Sequence, residues 1–98
     1  MANVTVFRLA EEDMSSIFLY ITQDSTKNAI MILDKLEKAI EQLAQFPLSG
    51  SECRDDILRA KGYRKVVVEK LLILYTVTED TVNVMRVVHG ASKYDKLL

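Results

Sequence analysis

Gly62-Tyr63-Arg64-Lys65-Val66-Val67-Val68, Leu71-Leu72-Ile73-Leu74-Tyr75-Thr76-Val77 and Val82-Asn83-Val84-Met85-Arg86-Val87-Val88-His89-Gly90 form the stretch whose reading decides the fold. Each run is rich in β-branched and aromatic residues, and only Glu69-Lys70 and Thr78 to Thr81 separate them. Three consecutive strands joined by links this short pair as antiparallel neighbours. If Glu69-Lys70 is a two-residue turn, Arg64 lies opposite Tyr75. If Thr78 to Thr81 is an even-length loop, Val77 pairs with Val82 and Arg86 emerges on the face of Arg64 and Tyr75; an odd-length loop sends it to the other face.

Working back from the strands, the period of the apolar residues changes. Asn3 to Leu9 alternates well enough for a short first strand. From Ala10 to about Gln23, Met14, Ile17, Phe18 and Ile21 fall on one side of a helix, and Glu11, Glu12 and Asp13 suit its positive N-terminal end. Asp24-Ser25-Thr26 can cap a second, longer helix carrying Ala29, Leu33, Leu36, Ile40 and Leu43. Pro47 should end it near Phe46, because the residue before a proline is driven out of helical geometry. Leu48 to Asp56 reads as the one true loop. The expected architecture is α+β, in the order β-α-α-β-β-β with a short C-terminal tail. A helical hairpin packs on one face of a small, mainly antiparallel sheet.

Both sheet faces carry apolar side chains. Val66, Val68, Ile73, Val77, Val84 and Val88 are expected on one face, and Val67, Leu72, Leu74, Met85 and Val87 on the other. Two helices cover only one face, so Val67, Leu72, Leu74, Met85 and Val87 are candidates for a partner's docking surface.

The 98 residues, 49% of them hydrophobic, suit one domain with one core, residues 1–98. A formal charge of −1 argues against nonspecific grip on nucleic acid, which relies on many uncompensated Lys and Arg. Cys53 stands alone, so neither an internal disulfide nor a cysteine metal site is expected, and a reducing cytoplasm fits. There is no long apolar span, secretory signal, nucleophile elbow or phosphate-cradling glycine loop. No cofactor, metal or membrane association is expected.

Few residues invite chemistry. His89, the single histidine, could act as a general acid near neutrality, or be an ordinary strand-end residue. Arg64 and Arg86 could clamp a phosphate or carboxylate, or be strand residues paired with carboxylates. Tyr63, Tyr75 and Tyr94 could stack on bases, though burial of the ring is the commoner role; Tyr94, in the polar tail, is the best functional candidate of the three.

Taken in order, Asp13, Ile17, Tyr20-Ile21, Leu43, Phe46-Pro47, Tyr63-Arg64, Leu74-Tyr75 and Arg86-Val87-Val88-His89-Gly90-Ala91 resemble the RelE/ParE superfamily of bacterial toxins from type II toxin-antitoxin systems. The resemblance spans nearly the whole chain. It implies a toxin neutralised by a cognate antitoxin whose disordered segment folds on binding, in a toxin-antitoxin hetero-oligomer. It also implies one of two activities: poisoning of DNA gyrase without hydrolysis, as in ParE-like members, or cleavage of mRNA in the ribosome, as in RelE-like members. For a nuclease, Arg64 and Arg86 would stabilise the phosphate and His89 or Tyr94 would exchange protons.

Three departures favour the ParE branch. The chain is slightly acidic where RelE-like enzymes are basic, Leu72 stands where several nucleases place an arginine, and Ala91-Ser92-Lys93 lacks the arginine that follows His-Gly-Ala in many relatives. A degenerate, non-toxic binding module is the third possibility.

Overall fold

The computed structural model describes residues 1–90. Strand β1 covers Asn3–Val6 and helix α1 covers Arg8–Thr22, so the strand is shorter and the helix longer than the alternation suggested. The switch comes at Phe7, whose N–H reaches Val84 O (2.9 Å) while its carbonyl accepts from Glu11 N (3.0 Å). One residue thus closes the sheet contact and opens the first helical turn. Helix α2 runs Thr26–Gln45, with the Ser25 hydroxyl accepting from Asn28 N at 3.1 Å, as an N-cap should. Phe46 leaves helical geometry (φ −131°, ψ 73°) immediately before Pro47.

Two small elements follow where the sequence suggests loop or no regular structure. They are strand β2, Ser51–Glu52, and helix α3, Asp56–Ala60, capped by the Asp55 carboxylate on Leu58 N. Strands β3 (Arg64–Val68), β4 (Leu71–Thr78) and β5 (Thr81–His89) complete a five-stranded sheet in the order β1-β5-β4-β3-β2. Only β1 runs parallel to its neighbour; the other pairs are antiparallel. The α+β architecture and its β-α-α-β-β-β order therefore hold, with β2 and α3 inserted.

Both hairpin turns have two residues, Glu69-Lys70 and Glu79-Asp80, and their leading glutamates take the left-handed conformation that such tight turns require (φ 55° and 57°). Arg64 faces Tyr75 and Val77 faces Val82, as parity predicts. A bulge then intervenes. Tyr75 pairs with Val84 but Leu74 pairs with Arg86, leaving Met85 as the extra residue. Every β5 residue past Met85 consequently changes face. Arg86 pairs with Leu74 instead of joining Tyr75, and Val87 and Val88 exchange their expected sides.

The helical hairpin covers one face. Ala10, Leu36 and Leu43 pack on Val68, Leu71, Ile73, Tyr75, Val82, Val84 and Val87, with Met14, Ile17, Ile32 and Ile40 at the margin. Ile73, Tyr75, Val82 and Val84 have no exposed surface, and burial of such a side chain stabilises by about 1.5–3 kcal/mol.

The opposite face differs from expectation. Cys53, Leu58 and Tyr63, all from the segment between α2 and β3, lie over Leu72, Leu74 and Val88. Leu72 and Leu74 are buried by this flap, and Val87 is buried because the bulge turns it to the helices. Of the five candidate docking residues, Val67 is exposed (66%) and Met85 is half-buried.

Candidate functional site

The residues singled out for chemistry fall into separate settings. Arg64 belongs to a loop anchor. Its Nε donates to Gly50 O (3.2 Å), one guanidinium nitrogen donates to Leu48 O (3.1 Å), and the other lies 3.6 Å from a Glu52 carboxylate oxygen. Its cross-strand neighbour Tyr75 completes the anchor, for the buried phenol donates to Pro47 O (2.8 Å) and accepts from Gly50 N (2.9 Å). Gly50 must lack a side chain, because a Cβ there would sit 2.5 Å from the Tyr75 hydroxyl and 2.7 Å from Lys65 O. The segment after Pro47 is therefore a fastened connection whose backbone groups find partners in β3 and β4.

Arg86 belongs to an edge lock. β1 pairs with Thr81 to Val84, and among the described residues no strand pairs with the outer edge of β5 beyond that point. Asp13 of α1 fills the gap. Its Oδ2 accepts from Arg86 Nε (2.7 Å) and from Val87 N (3.0 Å), and its Oδ1 accepts from a second guanidinium nitrogen (2.9 Å). Both side chains are only 17% exposed. The hydrogen bond with Asp13 pushes the Arg86 pKa above its usual value; burial opposes that rise without cancelling it. A bidentate pair of this kind holds orientation as well as charge.

His89 is exposed at the end of β5, and its side chain makes no hydrogen bond among the described residues. It borders a cleft of roughly 280 Å³ lined mainly by Ile17, Tyr20, Ile21, Ile32 and Leu71. Glu69, the carboxylate that lines this cleft among the described residues, is bonded to Lys35, which lowers its pKa. Tyr94 lies outside the described residues. Tyr63 packs over the second apolar cluster and Tyr75 is fully buried. Burial raises the Cys53 thiol pKa, the charge of Lys65 opposing, so the thiol is a poor nucleophile. Among the described residues no group of His, Cys, Asp or Glu could hold a metal ion, and no helix is long and apolar enough to cross a membrane.

The sequence-predicted pair Arg64 and Arg86 is thus not assembled into one clamp. The residues that decide this were given little weight in the sequence. In the sequence Asp13 stands as an acid at a helix start and as one residue of the family pattern, and Gly50 as part of a loop; neither position points to Arg86 or Tyr75.

The family model of the ParE toxin of the type II toxin-antitoxin system parDE matches residues 4–94. The chain belongs to this toxin family. No curated protein sequence matches it. Among solved structures, the chromosomal ParDE toxin-antitoxin system from P. aeruginosa is similar over 91% of this chain and 96% of that one, with TM-score 0.73 and 16% identity. The toxin-antitoxin complex RelBE2 from Mycobacterium tuberculosis is similar over 90% and 96%, with TM-score 0.64 and 21% identity. At these identities the structural likeness concerns the fold. The family assignment rests on the sequence model, which takes in both anchors and the stretch through Tyr94.

Proposed function

We propose that this ParE-family toxin stops growth by engaging DNA gyrase, without hydrolytic chemistry of its own, and that an antitoxin holds it inactive in a hetero-oligomer. The observation that carries the reading is the state of the two arginines. A ribosome-dependent nuclease would need cationic forks aimed at a phosphate beside a proton-transfer group. Arg64 is directed at the carbonyls of Leu48 and Gly50, while Arg86 is directed at Asp13. The bulge sets them on different register faces, and among the described residues no carboxylate is bonded to His89. The slightly acidic charge also fits poorly with a ribosome-binding enzyme.

The antitoxin partner is supported by the family and by the complexes among the structural relatives. A protein whose growth inhibition must be restrained needs a tight protein ligand, and this chain keeps apolar surface for one. Leu19, Tyr20, Ile30 and Met31 on the hairpin, and Val67 and Met85 on the sheet, retain solvent exposure.

The deciding experiment adds purified toxin to gyrase and relaxed plasmid. Supercoiling should fall with toxin concentration and recover when the antitoxin is added. Undiminished supercoiling at a large molar excess of toxin would remove gyrase as the target.

A further inference from the structure

At the connected end of the hairpin, α1, α2 and the β3–β4 turn stand apart around the cleft of about 280 Å³ that His89 borders. Ile17 and Ile21, one turn apart on α1, line it together with Ile32 of α2, and buried Leu71 of β4 lines it from the sheet. Tyr20 borders the same space with 68% of its surface exposed. Clefts that take drug-sized molecules start at about 300 Å³, so this one suits a smaller occupant.

The charged residues here differ from those on the rest of the hairpin. Glu11, Glu37 and Glu41 line the depressions between α1 and α2, and no lysine or arginine does. At the cleft, the lining carboxylate is Glu69, and its ion pair with Lys35 neutralises it. Lys70 and His89 line the same cleft, and neither side chain has a hydrogen-bond or ion-pair partner among the described residues. In a chain of net charge −1, apolar walls therefore meet an uncompensated cation at this point.

Such walls attract hydrocarbon of any kind, and the rim decides which polar end accompanies it. An ammonium group would be repelled by Lys70. A carboxylate would accept from the Lys70 ammonium, the His89 ring N–H and the Tyr20 hydroxyl.

We propose that the cleft binds a small amphipathic monocarboxylate of the medium-chain fatty acid class, its hydrocarbon against Ile17, Ile21, Ile32 and Leu71 and its carboxylate beside Lys70 and His89. The proposal does not depend on gyrase being the target.

The test titrates octanoate into the full-length protein and follows backbone amide shifts. Octanoate should bind at roughly 1 mM or tighter, the affinity usual for so small a ligand, with the largest shifts at Ile21, Lys70, Leu71 and His89. Octylamine should bind at least about tenfold more weakly, and the difference should shrink as salt rises. Lys70→Glu should weaken octanoate about tenfold and favour octylamine, while Ile21→Ser should weaken both. Circular dichroism checks that both variants keep the fold.

No binding at about 10 mM octanoate would overturn the proposal. So would equal binding of octanoate and octylamine, binding indifferent to the two variants, or largest shifts at Glu11, Leu33 and Glu41. Octanoate binding seen only when Leu97→Ser and Leu98→Ser are combined would overturn it in favour of the chain's own residues 91–98 as the occupant. Self-association abolished by Ile21→Ser would overturn it in favour of a second copy.

Discussion

Replacing Tyr75 by Phe keeps the ring and deletes one oxygen, so it isolates what the phenol does in the fastened segment after α2. In the native chain that oxygen donates to Pro47 O and accepts from Gly50 N, and Gly50 is itself buried. The substitution leaves both backbone groups without a partner, while Arg64 still holds the carbonyls of Leu48 and Gly50. An unsatisfied buried polar group costs about 1–3 kcal/mol, so the pair should cost about 3 kcal/mol, a large part of the roughly 5–15 kcal/mol available to a small domain. For a domain of this size that lowers the melting temperature by roughly 12–24 °C. Urea unfolding followed by circular dichroism measures the loss, and hydrogen exchange at the Gly50 amide locates it. A melting temperature within roughly 2 °C of the parent, with Gly50 still protected, would show that the phenol does not hold the segment.

Gly50→Ala should destabilise by about 1–3 kcal/mol in the same unfolding assay, since its methyl must displace the Tyr75 hydroxyl or a β3 carbonyl. Asp13→Ala should cost about 2–4 kcal/mol, because Arg86 and Val87 N both lose their acceptor. A double-mutant cycle with Arg86→Met should then return a coupling of about 1–3 kcal/mol, and additive losses would refute the edge lock. Glu69 has a lowered pKa through its hydrogen bond and charge interaction with Lys35, so its contribution is present above the ordinary carboxylate value near 4.5 and is lost as pH falls below that value. In Lys35→Met, carbon-detected titration of Glu69 should move upward; an unmoved titration would show that Lys35 is not the cause. Cys53 should react with a disulfide reagent far more slowly in native than in unfolded protein, and equal rates would contradict its burial.

Much of the fold could be read from the residues, for identifiable reasons. The strand runs around Val66, Ile73 and Val84 are bounded by polar turns. The α2 stripe is framed by Ser25 and Pro47, and the turn lengths fix the register as far as Tyr75. The bulge at Met85 was not legible, because no glycine or other distinctive residue marks it and the alternation of apolar residues continues on both sides. That single extra residue accounts for the misplacement of Arg86, Val87 and Val88.

The flap over Leu72 and Leu74 was missed for a different reason. Helix α3 has only five residues, too few to show a period, although Asp55 three residues before Leu58 is a usable capping signal. The candidate site followed the same division. The cations were visible as residues, but their partners, Asp13 for Arg86 and the Leu48 and Gly50 carbonyls for Arg64, lie 73, 16 and 14 positions away in the chain.

The proposal that this ParE-family toxin acts on gyrase and leaves message intact can be tested on both targets at once. Its most direct test supplies one preparation of purified toxin in parallel to gyrase with relaxed plasmid and to ribosomes translating a defined mRNA. The predicted result is concentration-dependent loss of supercoiling, with no new 5′ ends in the ribosome-bound mRNA by primer extension. Unimpaired supercoiling together with A-site cuts that vanish in Arg86→Ala would contradict it.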